Sequence, residues 1–321
     1  SEPSRTGVLE MPDGQQVFWE ESGRPDGIPA LYLHGGPGGG LGTGGYRRKF
    51  DPDRFRLVGF DQRGCGRSLP LASDPAHDLA ANTTARLIAD IEALREHLGI
   101  DAWVLNGASW GSTLAIAYAR AHPGRVLGVV LVAVTTTSAA EVEWITETVG
   151  AIFPEEWDRF AAHAEQAGNG YRRGHGRLVE VYAGLLQDPD PTVRDAASRA
   201  WARWEDVHIS LGQPEPPTNP RWAVDDSRLP FTILTSHYWA HDGFLDPPLL
   251  GDLDAIGHLP AVLIHGRADV SGPLRTAWEV HRQWPTSELV VIEDEGHGGP
   301  AMVDAWTDAL SRLADRLGTP R

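Results

Sequence analysis

Gly107-Ala108-Ser109-Trp110-Gly111 stands between a short apolar run, Trp103-Val104-Leu105, and a stretch of small residues over 112–122. A G-x-S-x-G run in that setting reads as a strand that turns at once into a helix. Few features constrain a fold more. The turn is so tight that strand and helix nearly touch. The positions two before and two after the serine must therefore be tiny, and both are glycine. The serine takes strained backbone angles, and its Oγ is held above the strand end, at the positive end of the helix.

The rest of the chain agrees with a strand–helix alternation. Residues 16–20 alternate apolar and polar as a half-buried strand, and 30–33, 55–60 and 126–134 read as buried strands. Residues 84–98 carry Leu87, Ile88, Ile91, Leu94 and Leu98 at helical spacing, with Asn82-Thr83-Thr84 as the capping region. The small-residue helix over 112–122 is stopped by Pro123-Gly124. From about residue 138 strand signals fade, and Trp144, Trp157, Trp201, Trp204, Trp222 and Trp239 cluster with charges and helical patterns. A Pro-rich loop over 213–220 lies in this stretch. Strands return at 261–265 and 289–292, and a helix closes the chain over 303–317. The expected class is α/β: a mostly parallel central sheet with helices on both faces, split in sequence by a helical insertion. The expected units are a core of 1–137 with 251–321, and an inserted helical cap of 138–250.

Composition narrows the partners. Hydrophobic residues at 41% and charged residues at 22% suit a globular chain, and 321 residues bury a core without a staple. The formal net charge of −16 argues against nucleic acid or an anionic membrane surface and mildly favours cationic substrates. The single cysteine, Cys65, excludes an internal disulfide and a cysteine-based zinc site, and it permits a reducing compartment. No apolar stretch approaches the roughly 18 residues of a membrane span. The expected location is cytoplasmic.

A serine at such a turn needs a base and an orienting acid, which on this kind of scaffold follow it in the order acid, then histidine. Asp269 follows the strand that ends at His265, and His297 follows the strand that ends at Ile292. Each sits just beyond the carboxyl end of a strand, where α/β sheets place their sites. Thirteen histidines make a bland histidine the default, and His297 stands out by position. His265 lies inside a strand and His122 ends a helix. Asp294 and Glu295 rival Asp269 but are too near His297 in sequence to approach its far nitrogen comfortably.

Five glycines in His34-Gly35-Gly36-Pro37-Gly38-Gly39-Gly40 follow the strand over 30–33. No Lys-Ser/Thr follows them, so they are not a phosphate-binding loop. The G-x-G-x-x-G at Gly40, Gly42 and Gly45 opens no apolar helix and reads as chance. The serine supplies the better reading, because acyl transfer builds an oxyanion that backbone N–H groups stabilise. Trp110, the residue after the serine, is one donor. Gly36 is the expected second, with Gly35 next.

These motifs together resemble the proline iminopeptidase (prolyl aminopeptidase) family of α/β-hydrolases. The resemblance runs through most of the chain. It includes the glycine loop, Phe60-Asp61-Gln62-Arg63-Gly64-Cys65-Gly66-Arg67-Ser68, Gly107-Ala108-Ser109-Trp110-Gly111-Ser112-Thr113-Leu114, Trp201-Ala202-Arg203-Trp204-Glu205, His237-Tyr238 and Gly266-Arg267-Ala268-Asp269. It implies an α/β-hydrolase fold and a serine exopeptidase with a helical cap over Ser109, Asp269 and His297. Such an enzyme uses no metal or cofactor and releases an N-terminal residue, usually proline. The implied partner is a small peptide or aminoacylated small molecule with a free amine.

The family holds that amine with cap carboxylates, and Glu205 matches one. The second falls two residues before the His-Tyr pair, where this chain has Thr235. Asp206 and Asp242 are candidates to compensate, and Gly35, Trp204 and Tyr238 complete the expected substrate contacts. Val132 is a further departure, where the pattern often carries arginine. Asp61 and Arg63 are expected to brace the oxyanion loop, and Cys65 is assigned no catalysis. The tryptophans of the cap read first as core aromatics, with an apolar tunnel for the acyl acceptor as the alternative. Two other functions stay open: a carboxylesterase on the same scaffold, and a catalytically silent small-molecule receptor.

Overall fold

The computed structural model describes residues 2–168, 170–211 and 218–318. Its sheet contains β1 (Arg5–Glu10), β2 (Gln16–Gly23), β3 (Ile28–Leu33), β4 (Phe55–Phe60), β5 (Trp103–Ala108), β6 (Val126–Val132), β7 (Ala261–Gly266) and β8 (Ser287–Ile292). The spatial order is β1-β2-β4-β3-β5-β6-β7-β8. β2 runs antiparallel to both its neighbours, and every pair from β4 to β8 is parallel. β1 escaped the sequence reading because its residues are only exposed or half-buried, so no apolar alternation marks it. The run over 126–134 ends as a strand at Val132, because Ala133 turns the backbone to φ 49°.

Helices α1 (Thr84–His97) and α2 (Trp110–Ala121) precede five inserted helices: α3 (Ala139–Thr146), α4 (Pro154–Gln166), α5 (Leu178–Leu185), α6 (Pro191–His208) and α7 (Asp225–Ala240). All five lie in sequence between β6 and β7. The core then resumes with α8 (Leu274–Gln283) and α9 (Pro300–Leu317). Residues 213–217 of the expected Pro-rich loop lie outside the described residues. Neighbouring residues of the central strands feed opposite cores. Leu105, Leu131 and Leu263 pack on one face with Leu114 and Ala277, and Val104, Val130 and Ile264 pack on the other with Leu310 of α9. A strand buried on both faces explains the near-continuous apolar runs in the sequence. Among the described residues no helix is long and apolar enough to cross a membrane.

Two close approaches set the geometry around the elbow. A Cβ added at Gly111 would lie 2.0 Å from the Leu33 carbonyl oxygen, and one at Gly107 would lie 2.2 Å from the Gly111 carbonyl oxygen. The start of α2 is thus pressed onto the ends of β3 and β5 with room for hydrogen alone.

The inserted helices are tied to the core at named points. α7 packs on the glycine loop, where a Cβ at Gly38 would stand 3.0 Å from Phe231 Cα. Thr235 Oγ1 donates to the Pro37 carbonyl at 2.9 Å, and His237 Nε2 donates to the Asn82 carbonyl at 2.9 Å. Burial pushes the His237 pKa down to about 4, so this anchor is a neutral imidazole. Phe160 stacks on Tyr182 and Trp204, with Trp201 at its edge, and Trp204 Nε1 donates to the Ile145 carbonyl at 2.9 Å. Trp201 and Trp204 are core aromatics that hold the insertion together.

Replacing Gly111 by alanine is expected to force α2 away from β3 and to destabilise the fold by about 3 kcal/mol. Urea denaturation checks this, and a loss below about 0.5 kcal/mol would mean that the close approach is not a constraint.

Candidate active site

Three loops at the carboxyl ends of parallel strands bring the site together. Ser109 sits at the turn from β5 to α2 with φ 53° and ψ −123°, a strained conformation held by its own N–H donating to the Val132 carbonyl at 2.9 Å. His297 follows β8 and Asp269 follows β7. His297 Nε2 lies 3.2 Å from Ser109 Oγ, and His297 Nδ1 donates to Asp269 Oδ2 at 2.8 Å. The Gly272 N–H donates to the other Asp269 oxygen at 3.0 Å and fixes the carboxylate.

Burial acts against charge on both partners, and their mutual attraction overcomes it. Burial would raise the Asp269 pKa, but His297, His265 and the Gly272 N–H hold it below its ordinary value. Burial would lower the His297 pKa, but the Asp269 carboxylate, and then Glu205, hold it above 6.5. Asp269 thus fixes the tautomer that leaves Nε2 facing the serine.

Two of the rival residues, His265 and Glu295, have hydrogen-bond partners of their own. His265 Nδ1 accepts from the Val134 N–H at 3.0 Å, its Nε2 donates to the Gly272 carbonyl at 2.6 Å, and burial lowers its pKa. Glu295 caps α9, accepting from the N–H groups of Ala301 and Met302 at 2.7 and 2.8 Å.

Gly35, Gly36 and Trp110 line the same cavity as Ser109 and His297. Trp110 opens α2, so its N–H has no acceptor within the helix. Gly36 adopts φ 117°, which a side chain rarely tolerates. The brace of this loop differs from the expected one. Gln62 spans it, donating to the His34 carbonyl at 3.0 Å and accepting from Trp110 Nε1 at 3.0 Å. The Gln62 N–H donates to His34 Nε2 at 3.0 Å, so His34 is neutral, in line with a pKa lowered by burial. Asp61 holds only the far end of the loop, accepting from the Leu41 N–H at 2.6 Å. Arg63 turns away to Asp90, Asp13 and the Ala81 carbonyl. Cys65 is buried 3.8 Å from His34 Nε2, and burial pushes its thiol well above the usual range, which disfavours the reactive thiolate.

The cavity holds about 290 Å³ and is lined on the insertion side by Val142, Ile145, Glu205, Ile209, Arg221, Phe231 and Trp239. Glu205 Oε2 is buried without a hydrogen bond. It lies 3.3 Å from His208 Nε2, near enough for an ion pair but without hydrogen-bond alignment. Burial would raise the Glu205 pKa, but His208, His297 and Arg221 keep it below its ordinary value, so the carboxylate stays charged. Arg221 stacks over Trp222 and Phe231 with its guanidinium carbon 4.3 and 4.5 Å from the ring centres. Its pKa is lowered, by burial first of all.

Four expected substrate contacts do not line this cavity. Trp204 is spent in the aromatic core of the insertion. Thr235 is buried against Pro37 and serves as an anchor rather than as a polar wall. Tyr238 packs against Trp110 at 4.9 Å and against Phe244. Asp242 pairs with Arg177 at 2.5 Å and cannot stand in for a second amine-binding carboxylate. Asp206 is likewise engaged, accepting from Trp222 Nε1 at 2.8 Å. Arg221 and Glu141, which does line the cavity, went unnoticed in the sequence. Arg221 sits in Asn219-Pro220-Arg221-Trp222, where only the aromatic beside it hinted at a half-buried cation.

A serine at a strand–helix elbow, an imidazole held between it and a buried carboxylate, and a glycine loop beside them on a parallel sheet define the class: an α/β-hydrolase with a Ser–His–Asp triad. Residues 29–300 match the α/β hydrolase fold family. The chain is 43% identical to a probable proline iminopeptidase of Streptomyces coelicolor, over 97% of this chain and 96% of that one. It is 41% identical to the proline iminopeptidase of Neisseria gonorrhoeae, over 98% of each. It therefore belongs to the proline iminopeptidase family of α/β-hydrolases. Among solved structures, the proline iminopeptidase of Mycobacterium smegmatis superposes with a TM-score of 0.60 at 17% identity, over 98% of this chain and 100% of that one. A proline iminopeptidase-related protein of Thermus thermophilus does so with 0.58 at 24% identity, over 97% and 99%. At those identities they speak for the fold alone.

The pKa directions give a pH test. His297 must be neutral to accept the serine proton. With its pKa raised in the folded protein, the imidazolium contributes stability below about pH 6.5, lost as pH rises through the folded value. The acidic limb of kcat/KM is therefore expected to turn above about pH 6.5, and Glu205→Gln should move it down by removing one anion that holds the proton. A limb that stays in place in Glu205→Gln would show that Glu205 does not act on His297.

Proposed function

We propose that the chain hydrolyses the amide bond after an N-terminal residue that bears a free amine, with proline as the first candidate. The observation that carries this reading is Glu205. It is an ionised carboxylate in the wall of the cavity that holds Ser109 and His297, and its Oε2, 3.3 Å from His208 Nε2, receives no aligned hydrogen bond. A buried anion of this kind calls for a cationic partner, and a substrate ammonium supplies one. The proline iminopeptidase relatives support the choice of proline.

The chemistry follows from the distances. Ser109 Oγ attacks the carbonyl carbon while His297 Nε2 takes its proton. The N–H groups of Gly36 and Trp110 receive the oxyanion, each contributing about 3 kcal/mol to the transition state. As the C–N bond breaks, His297 returns the proton to the leaving amine. Water then repeats the sequence on the acyl-serine. Asp269 offsets the imidazolium charge in both halves. We place the protein in the cytoplasm, on the strength of its single, unpaired Cys65.

Two measurements test this. Ser109→Ala is expected to lower kcat by about 10⁴ or more with the fold intact, and activity within about tenfold of the parent would remove Ser109 as the nucleophile. For free and N-acetylated prolyl arylamides, the parent should prefer the free amine. Glu205→Gln should lose about 100-fold in kcat/KM for the free amine and far less for the acetylated compound. A parent that prefers the acetylated compound, with Glu205→Gln neutral on both, would establish a carboxylesterase. A parent that neither turns over any substrate nor labels with a fluorophosphonate would be a silent receptor.

A further inference from the structure

The charged cavity is not the only space that reaches Ser109. A second cavity of about 200 Å³ also touches Ser109, His297 and Gly35, and it shares no other residue with the first. Its remaining walls are Ala108, Val132, Ala133, Met302, Val303 and Trp306, with Gly298 and Gly299 at the histidine loop. They come from the ends of β5 and β6 and from the first turns of α9, not from the inserted helices. Among the described residues, His297 is the one ionisable side chain that lines it. Trp306 spends its Nε1 on Asn106 Oδ1 at 3.1 Å, and the Met302 N–H is held by Glu295 at 2.8 Å. What faces the space is mostly carbon.

Stereochemistry then assigns the two spaces. With a substrate ammonium at Glu205 and its carbonyl carbon at Ser109 Oγ, the acyl group occupies the first cavity. The leaving nitrogen must lie beside His297 Nε2, which protonates it. Whatever that nitrogen carries continues past the shared Gly35–Ser109–His297 boundary. We propose that the second cavity receives the leaving amine, and that the substrates are aminoacyl amides whose amine carries a bulky apolar group. The assignment rests on the aminoacyl reading of the same site. An apolar group gains by leaving water for such walls, whereas a charged one loses its hydration with no partner to replace it.

The test uses the full chain and a matched series: prolyl-glycinamide, -leucinamide, -phenylalaninamide, -aspartamide and -lysinamide. Each releases an ordinary amino acid amide, so differences in kcat/KM report the leaving side chain rather than the bond. The leucine and phenylalanine members are expected to exceed the glycine member by about tenfold or more, with the charged members at or below glycine. Val303 is half-buried on α9, so a polar residue there is tolerable to the fold. Val303→Asp should compress the leucine-to-glycine ratio to within about threefold, and Val303→Ala should lower it more mildly if the aspartate variant fails to fold. A parent whose rates are flat across glycine, leucine and phenylalanine overturns the assignment and leaves the aminoacyl reading standing. So does a preference that survives unchanged in the folded Val303 variants. A parent that releases proline from none of the series overturns both.

Discussion

The contact on which the structure depends is the one between α2 and the ends of β3 and β5. Gly111 stands so close to the Leu33 carbonyl that hydrogen is the largest substituent that fits, and Gly107 stands as close to Gly111. This proximity does three things at once. It aims Ser109 Oγ out of the sheet and places the Trp110 N–H at the head of a helix. It also brings the loop that follows β3 over the serine, because β3 is the strand that α2 touches. The serine, the N–H at the head of α2 and the glycine loop are set by one steric condition.

The glycine loop has a second neighbour. α7 rests on it through Phe231 and Leu234, and Thr235 hydrogen-bonds the Pro37 carbonyl. The lack of side chains in the loop lets a helix of the insertion approach it as closely as a substrate does. The insertion is therefore not a separate lid in its contacts: one face of α7 supports the loop, and α6 carries Glu205 to the wall. Charge is arranged over the same short span. Asp269 and Glu205 both favour the imidazolium of His297, while Arg221 helps keep Glu205 ionised against its burial. On the proposed reading, a bound ammonium offsets Glu205 and weakens its hold on the His297 proton, so substrate binding moves the base toward its working form.

Much of this was legible in the chain itself. The elbow was visible because it needs glycine at two fixed offsets. The central strands were visible because burial on both faces leaves unbroken apolar runs, and the triad because Asp269 and His297 each fall in the loop that follows a strand. The interruption of strand signals after about residue 138 marked the insertion. Glycines in the loop after β3 pointed to backbone donors, since nothing else in their sequence context suited a phosphate.

Side-chain partners across the insertion were decided only by the tertiary structure. Thr235 stands where the pattern of the family places a second carboxylate, and Asp242 was a candidate to replace it, yet one anchors α7 to Pro37 and the other pairs with Arg177. Gln62, rather than Asp61 or Arg63, spans the glycine loop, and Arg221 reaches the cavity from a loop with no periodicity to announce it. The physical reason is the range of the forces. Steric rules of a turn and the burial period of a strand act between neighbours in the chain and leave a local trace. A hydrogen bond such as Thr235 to Pro37 joins residues 198 positions apart, so its geometry exists only once the insertion has packed onto the sheet.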